Sequence, residues 1–202
     1  MKKRDLSIVF NAIIIAFELV GFLSSLIFNG RIMPEFYTED SNILALICST
    51  IFLFYLLNRK KIPDWLRMFK YLTVVCLMIT LFVVIFVLIP MGDFNFKLYM
   101  YDGTLLYHHT ICPIMSVITF LFFDNLKSYN FKDCIIALGF TFLYSFITIV
   151  FNLVGILEGP YPFLMVRSQS LLMSLIWLIL LYSLAFFISH SLRLIHKKVN
   201  GG

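Results

Sequence analysis

The sequence predicts an all-α polytopic membrane protein, with six transmembrane helices in one bundle and both termini in the cytoplasm. Three observations predict it. Only 13% of the 202 residues are charged and the mean hydropathy is +0.95, whereas about a quarter of a soluble domain is charged. Apolar runs of about the length needed to cross a hydrocarbon core recur at about 6–28, 41–57, 69–90, 105–123, 134–155 and 170–192. The basic residues fall on alternate sides of these runs without a break.

Each span follows in order. The first begins after Lys2, Lys3 and Arg4 and has no small-residue cleavage pattern behind it, so it is expected to stay as a signal anchor. Asn11 and Glu18 interrupt its apolar face. The second span starts after "FYTEDSN", where Asp40, Ser41 or Asn42 suits a helix N-cap. The connector "NRKKIPDWLRMFK" leads into the third span and carries Arg59, Lys60, Lys61, Arg67 and Lys70. The fourth opens with "LLYHHTICP". Lys127 and Lys132 precede the fifth. The sixth follows "YPFLMVRSQS" and is closed by Arg193, Lys197 and Lys198. Thirteen of the sixteen Lys and Arg thus share one side, against Arg31, Lys97 and Arg167 on the other. Basic residues favour the cytoplasmic side, which sets the orientation.

With the connectors this short, a single domain over 1–202 is expected and no soluble domain fits. The net charge of +5 reads as a topology signal, and no nucleic-acid partner is implied. Cys48, Cys76, Cys112 and Cys134 lie in or beside apolar segments without CxxC spacing, so packed free thiols are expected rather than a disulfide or zinc framework.

Depth becomes readable once the topology is set. Thr38, Asp40, Ser41, Asn42, Tyr107, His108, His109, Thr110, Asn152, Arg167 and Gln169 fall at a similar level near the outer side. Helix ends collect polar residues anyway, and His190 and His196 look interfacial at the opposite end. An imidazole one turn inside the bilayer, however, must face the bundle interior or a wet cavity. Thr104, His108, Cys112, Ser116 and Thr119 line one helical face, with His109 about 100° round from His108. Such a stripe of small residues suits a helix–helix contact. Pro113 lacks an N–H and loosens the backbone at residue 109. Glu18, near the middle of the first span, is a candidate by depth alone.

A hydroxyl nucleophile needs a base within hydrogen-bond reach and a third group to orient that base. Thr38 or Ser41 supplies the hydroxyl, His109 or His108 the base, and Asp40 or Asn42 the orienter. Arg167, Gln169 or backbone N–H groups then stabilise an oxyanion. No GxSxG elbow is present. Metal binding is disfavoured, because adjacent helical histidines diverge and no HExxH pattern occurs. Haem fails because His109 and His190 lie at opposite ends. No cofactor is expected. The rival reading is a small-solute transporter or ligand-binding membrane protein built on Glu18, Arg167 and His109, although the two halves show no internal repeat. A structural partner subunit is a third.

Three segments carry a family resemblance. "FYTEDSNIL" resembles the Y-x-T-x-x-S-N-x-L signature of bacterial relatives of the androgen-induced-gene family, "HHTICP" their H-T-x-x-P segment, and "GPYPFLMV" their Y-P-F-L segment. The likeness runs in order through all six spans. It implies an intramembrane threonine hydrolase, since animal members cleave fatty-acid esters of hydroxy fatty acids with a threonine nucleophile and a histidine base. Carried over by motif, these roles fall on Thr38 and His109. This chain departs in placing Glu39 and Asp40 after the threonine, where relatives tend to carry apolar or amide residues. The implied partner is a fatty-acyl ester taken from the outer leaflet of the cell membrane, with apolar walls holding its chains.

Overall fold

The computed structural model describes residues 3–124 and 126–201, so Lys2 lies outside the described residues. The described residues are helical and contain no strand. Six helices are long and apolar enough to cross a membrane: α1 (Lys3–Asn29), α2 (Tyr37–Leu57), α3 (Asp64–Met91), α4 (Leu106–Phe123), α5 (Phe131–Leu153) and α6 (Leu171–Asn200). A short helix, Phe96–Tyr101, lies between α3 and α4. Many large apolar side chains face outward, among them Phe28, Leu143, Ile156 and Leu171. Helices that satisfy their own backbone and expose apolar side chains suit a lipid solvent.

Both ends of the chain meet at one end of the bundle. Arg4 donates to the Leu56 carbonyl (2.7 Å), and Asn200 donates to the carbonyl of Leu121 (3.0 Å). There a buried polar knot ties α1, α3 and the end of α4 together. Lys70 Nζ donates to Asn11 Oδ1 at 2.8 Å and stands 3.5 Å from Asp124, which also accepts from Ser7 at 2.6 Å. Lys70 therefore belongs to α3 rather than to a solvated connector. His196, expected at the interface, is fully buried between Phe120 and Tyr129. Its burial follows from the length of α6, which continues to Asn200 instead of stopping near 192.

Two prolines leave a similar mark. Pro90 and Pro113 each lie two residues beyond a stretch of π-helix, Val84–Leu88 and Leu106–Ile111. A proline ring clashes with the carbonyl four residues back and offers no N–H to it. Widening the preceding turn to i→i+5 bonding relieves both problems. In α4 the cysteine amide before Pro113 accordingly bonds the Tyr107 carbonyl.

Helix starts are set partly by local caps. Asn130 and Asp133 form a reciprocal capping box at α5, and Ser170 caps α6 through the Met173 amide. The start of α2 differs from expectation. It begins at Tyr37, without a side-chain cap, and Asp40, Ser41 and Asn42 lie inside its first turns. Ser41 and Asn42 turn back to the Thr38 carbonyl, while the Thr38 amide donates to Tyr161 across the bundle. A tertiary acceptor has replaced the local cap.

The polar knot supports a stability test. Lys70→Met strands the buried Asp124 carboxylate and should destabilise the protein by about 3–5 kcal/mol. Adding Asp124→Leu should recover much of that loss. Thermal unfolding in detergent micelles checks both.

Candidate functional site

At the opposite end of the bundle, Thr38 in the first turn of α2 meets His109 in the widened turn of α4. Thr38 Oγ1 stands 3.2 Å from His109 Nε2, and His109 Nδ1 stands 2.6 Å from the Tyr99 carbonyl oxygen. A carbonyl only accepts, so Nδ1 carries the proton. In the neutral ring Nε2 then holds a lone pair toward the threonine hydroxyl. Thr38 and His109 are both buried. The Thr110 hydroxyl donates to the Met100 carbonyl at 2.9 Å, pinning the short helix that presents the Tyr99 carbonyl.

Tyr161 completes this group. Its hydroxyl lies 3.4 Å from Thr38 Oγ1 and accepts from the Thr38 amide at 3.4 Å. The ring stacks on Phe163 (5.1 Å between centroids) and meets Phe36 edge-on. Burial pushes the phenol up to about 12, which keeps it a hydrogen-bond donor at neutral pH.

The second histidine does something else. His108 is fully buried between two carboxylates, with Glu18 Oε2 3.7 Å from Nε2 and Glu39 Oε1 3.7 Å from Nδ1. Ser25 donates to Glu39 Oε1 at 3.1 Å. Among the described residues, neither nitrogen of His108 nor either oxygen of Glu18 has a partner within hydrogen-bond distance. Phe22 packs on the imidazole at 4.7 Å, and Asn42 donates to the His108 carbonyl at 3.3 Å. The wide turn lets neighbouring histidines both face inward, because more residues per turn lower the angle between successive side chains below the α-helical 100°.

The sequence candidates thus separate. Thr38 and His109 come together, and Asn42 braces the carbonyls of Thr38 and His108. Asp40 does not orient the imidazole, since it lines a lateral cleft with Phe140, Tyr144 and Ile147; the Tyr99 carbonyl takes that position. Ser41 bonds Thr80 at 3.0 Å instead of a histidine. Arg167 is exposed, with its guanidinium beside Gly155, and Gln169 donates to the Phe163 carbonyl at 3.4 Å. Neither lines the cavities that Thr38 lines. Glu18 belongs to the His108 cluster.

Tyr99, Tyr161 and Glu39 were not among the sequence candidates. Tyr161 was legible as part of a motif and Glu39 as the neighbour of Thr38. A backbone carbonyl leaves no sequence signal. Among the described residues, no group of His, Cys, Asp and Glu has the arrangement to hold a metal ion, and all four cysteines are free and buried. Comparison with protein-family models, with curated proteins and with solved structures finds no match.

The seat of His108 is tight. A Cβ added at Gly21 would lie 2.3 Å from His108 Nε2, whereas one at Gly139 would meet nothing within 4 Å. Gly21→Ala should cost roughly 1–3 kcal/mol by overpacking, with Gly139→Ala free of that penalty. Melting of the two variants side by side checks the difference.

Proposed function

We propose that the protein is an intramembrane hydrolase of lipid-like esters, with Thr38 as nucleophile and His109 as general base. One observation carries the reading: a buried threonine hydroxyl 3.2 Å from the lone-pair nitrogen of a histidine whose other nitrogen is held by a carbonyl. A hydroxyl, a base and an orienter in line are the parts that nucleophilic catalysis needs. The resemblance to the androgen-induced-gene family supports the same two residues through "FYTEDSNIL" and "HHTICP". The positive-inside pattern supports cytoplasmic termini and a site within the outer leaflet of the cell membrane.

The chemistry runs in two halves. Thr38 Oγ1 attacks the ester carbonyl carbon as His109 Nε2 takes the hydroxyl proton, and the carbonyl π-electrons move onto oxygen. The Tyr161 hydroxyl, its oxygen already accepting from the Thr38 amide, aims its proton at that oxyanion. Collapse breaks the bond to the alcohol oxygen, which receives the proton from His109. Water then attacks the acyl-threonine with His109 as base again, releasing the carboxylic acid and restoring the Thr38 hydroxyl.

A second reading rests on a separate observation. Buried Glu18, His108 and Glu39 form a group with unsatisfied polar atoms, which suits proton-coupled solute transport. Uptake that depends on Glu18 and not on Thr38 would favour it.

A fluorophosphonate probe tests the hydrolase. Thr38→Ala and His109→Ala should both abolish covalent labelling while the proteins still insert and melt cooperatively. Equal labelling of the wild type and Thr38→Ala would remove the proposal. Tyr161→Phe should keep the nucleophile and lower ester turnover by roughly 10²-fold, the usual effect of losing one oxyanion donor, with most of the change in kcat.

A further inference from the structure

Thr38 and Tyr161 line a narrow slot between the helices and also a wider cavity of about 280 Å³, walled largely by connector residues. His109 and Glu39 border this connector cavity and not the slot. Its wall brings Glu39 together with the aromatic residues Phe36, Tyr99 and Tyr161, and among the described residues it holds no Lys or Arg. Glu39 is only 4% exposed. Its Oε1 accepts from Ser25 and lies 3.7 Å from His108 Nδ1. Its Oε2 has no partner within hydrogen-bond distance among the described residues. Glu18 faces the same imidazole, so His108 can neutralise only one of the two carboxyls. Arg31 is engaged by Glu35. An enclosed acid with a spare oxygen is stabilised by a ligand that brings the positive charge. Aromatic rings beside it favour an organic ammonium, whose weakly hydrated methyl or methylene groups pack on them.

The reaction at Thr38 sets which half of an ester lies here. When the bond between the acyl carbon and the alcohol oxygen breaks, the proton that His109 took from Thr38 passes to that oxygen. The alcohol therefore lies on the His109 side of Thr38, in the connector cavity. We infer that this cavity is a cation subsite, and that the alcohol half of the substrate carries an ammonium group held by Glu39, Phe36, Tyr99 and Tyr161. A hydroxy acid, the alcohol that the family resemblance implies, would instead bring its carboxylate toward Glu39 with no cation between them. The difference is written next to the nucleophile, since Glu39 follows Thr38 where the relatives tend to carry apolar or amide residues. This assignment rests on the hydrolase reading.

Three butyryl esters test it with the purified protein in uncharged dodecyl maltoside micelles: those of choline, of 3,3-dimethylbutanol and of 3-hydroxybutanoate. The first two alcohols share a shape and differ in charge, and the third is an anion. Wild type should favour the choline ester over its neutral isostere about tenfold in kcat/KM, the scale of a desolvated contact between an ammonium and aromatic rings, and should use the anionic ester least. Glu39→Gln, which keeps the volume, should bring the choline-to-isostere ratio to about one. Phe36→Leu lies outside the His108 cluster and should lower that ratio about threefold, so a misfolded Glu39→Gln does not end the test. If Thr38 is labelled but the ratio is the same in wild type and both variants, the subsite is overturned and the hydrolase reading survives. A wild-type preference for the anionic ester overturns the subsite in the same way. Absence of both labelling and turnover in wild type overturns the hydrolase reading, and the assignment with it.

Discussion

Glu18, His108 and Glu39 come from three different helices and meet where no solvent reaches them. A charged or polar group in hydrocarbon is costly unless another protein group answers it. They face one another, with Ser25 donating to Glu39, so α1, α2 and α4 are held to one mutual register. The glycine at 21 belongs to the same constraint, because only a bare backbone leaves room for the imidazole edge. Thr38 precedes Glu39 and His109 follows His108 in the chain. The contact between threonine and histidine is therefore fixed by the cluster beside it.

The choice of a carbonyl to hold His109 has a physical logic. A carboxylate in that place would put a full charge into a low-dielectric site, with a desolvation penalty of several kcal/mol. The Tyr99 carbonyl fixes the tautomer and the ring orientation without one. It is available because the short helix Phe96–Tyr101 ends beside α4, where its last carbonyls have no partner further along the helix. Thr110 takes the neighbouring carbonyl of Met100, so two consecutive helix-end acceptors are satisfied by side chains of the widened turn. Pro113 produces that turn, and the backbone irregularity and the site geometry have one origin.

The six spans were legible because lipid imposes a length and an apolarity on each, and the structure has a helix at every one. Boundaries were less legible where tertiary contacts outweighed local signals. "TEDSN" reads as a capping segment, yet α2 starts before it because Tyr161 answers the Thr38 amide from a distant connector. Lys70 reads as part of a basic connector, but its partners Asn11 and Asp124 lie 59 and 54 residues away in the chain and draw it inside. Arg167 and Gln169 share the depth of Thr38 without sharing its surroundings, since depth says nothing of direction around the bundle axis. Periodicity left His108 and His109 equivalent, because it assumes a regular helix and α4 is not one there.

The two histidines have different surroundings. His108 stands between two carboxylates, fully enclosed, in contact with no cavity that Thr38 lines. His109 faces a hydroxyl and a carbonyl and borders the connector cavity. Both ring nitrogens of His108 face those acids, so neither is placed to serve Thr38. His109 instead presents Nε2 to the Thr38 hydroxyl, with Nδ1 held by the Tyr99 carbonyl. Adjacent histidines in an apolar helix are thus not redundant: the first couples three helices, and that coupling keeps the second within reach of Thr38.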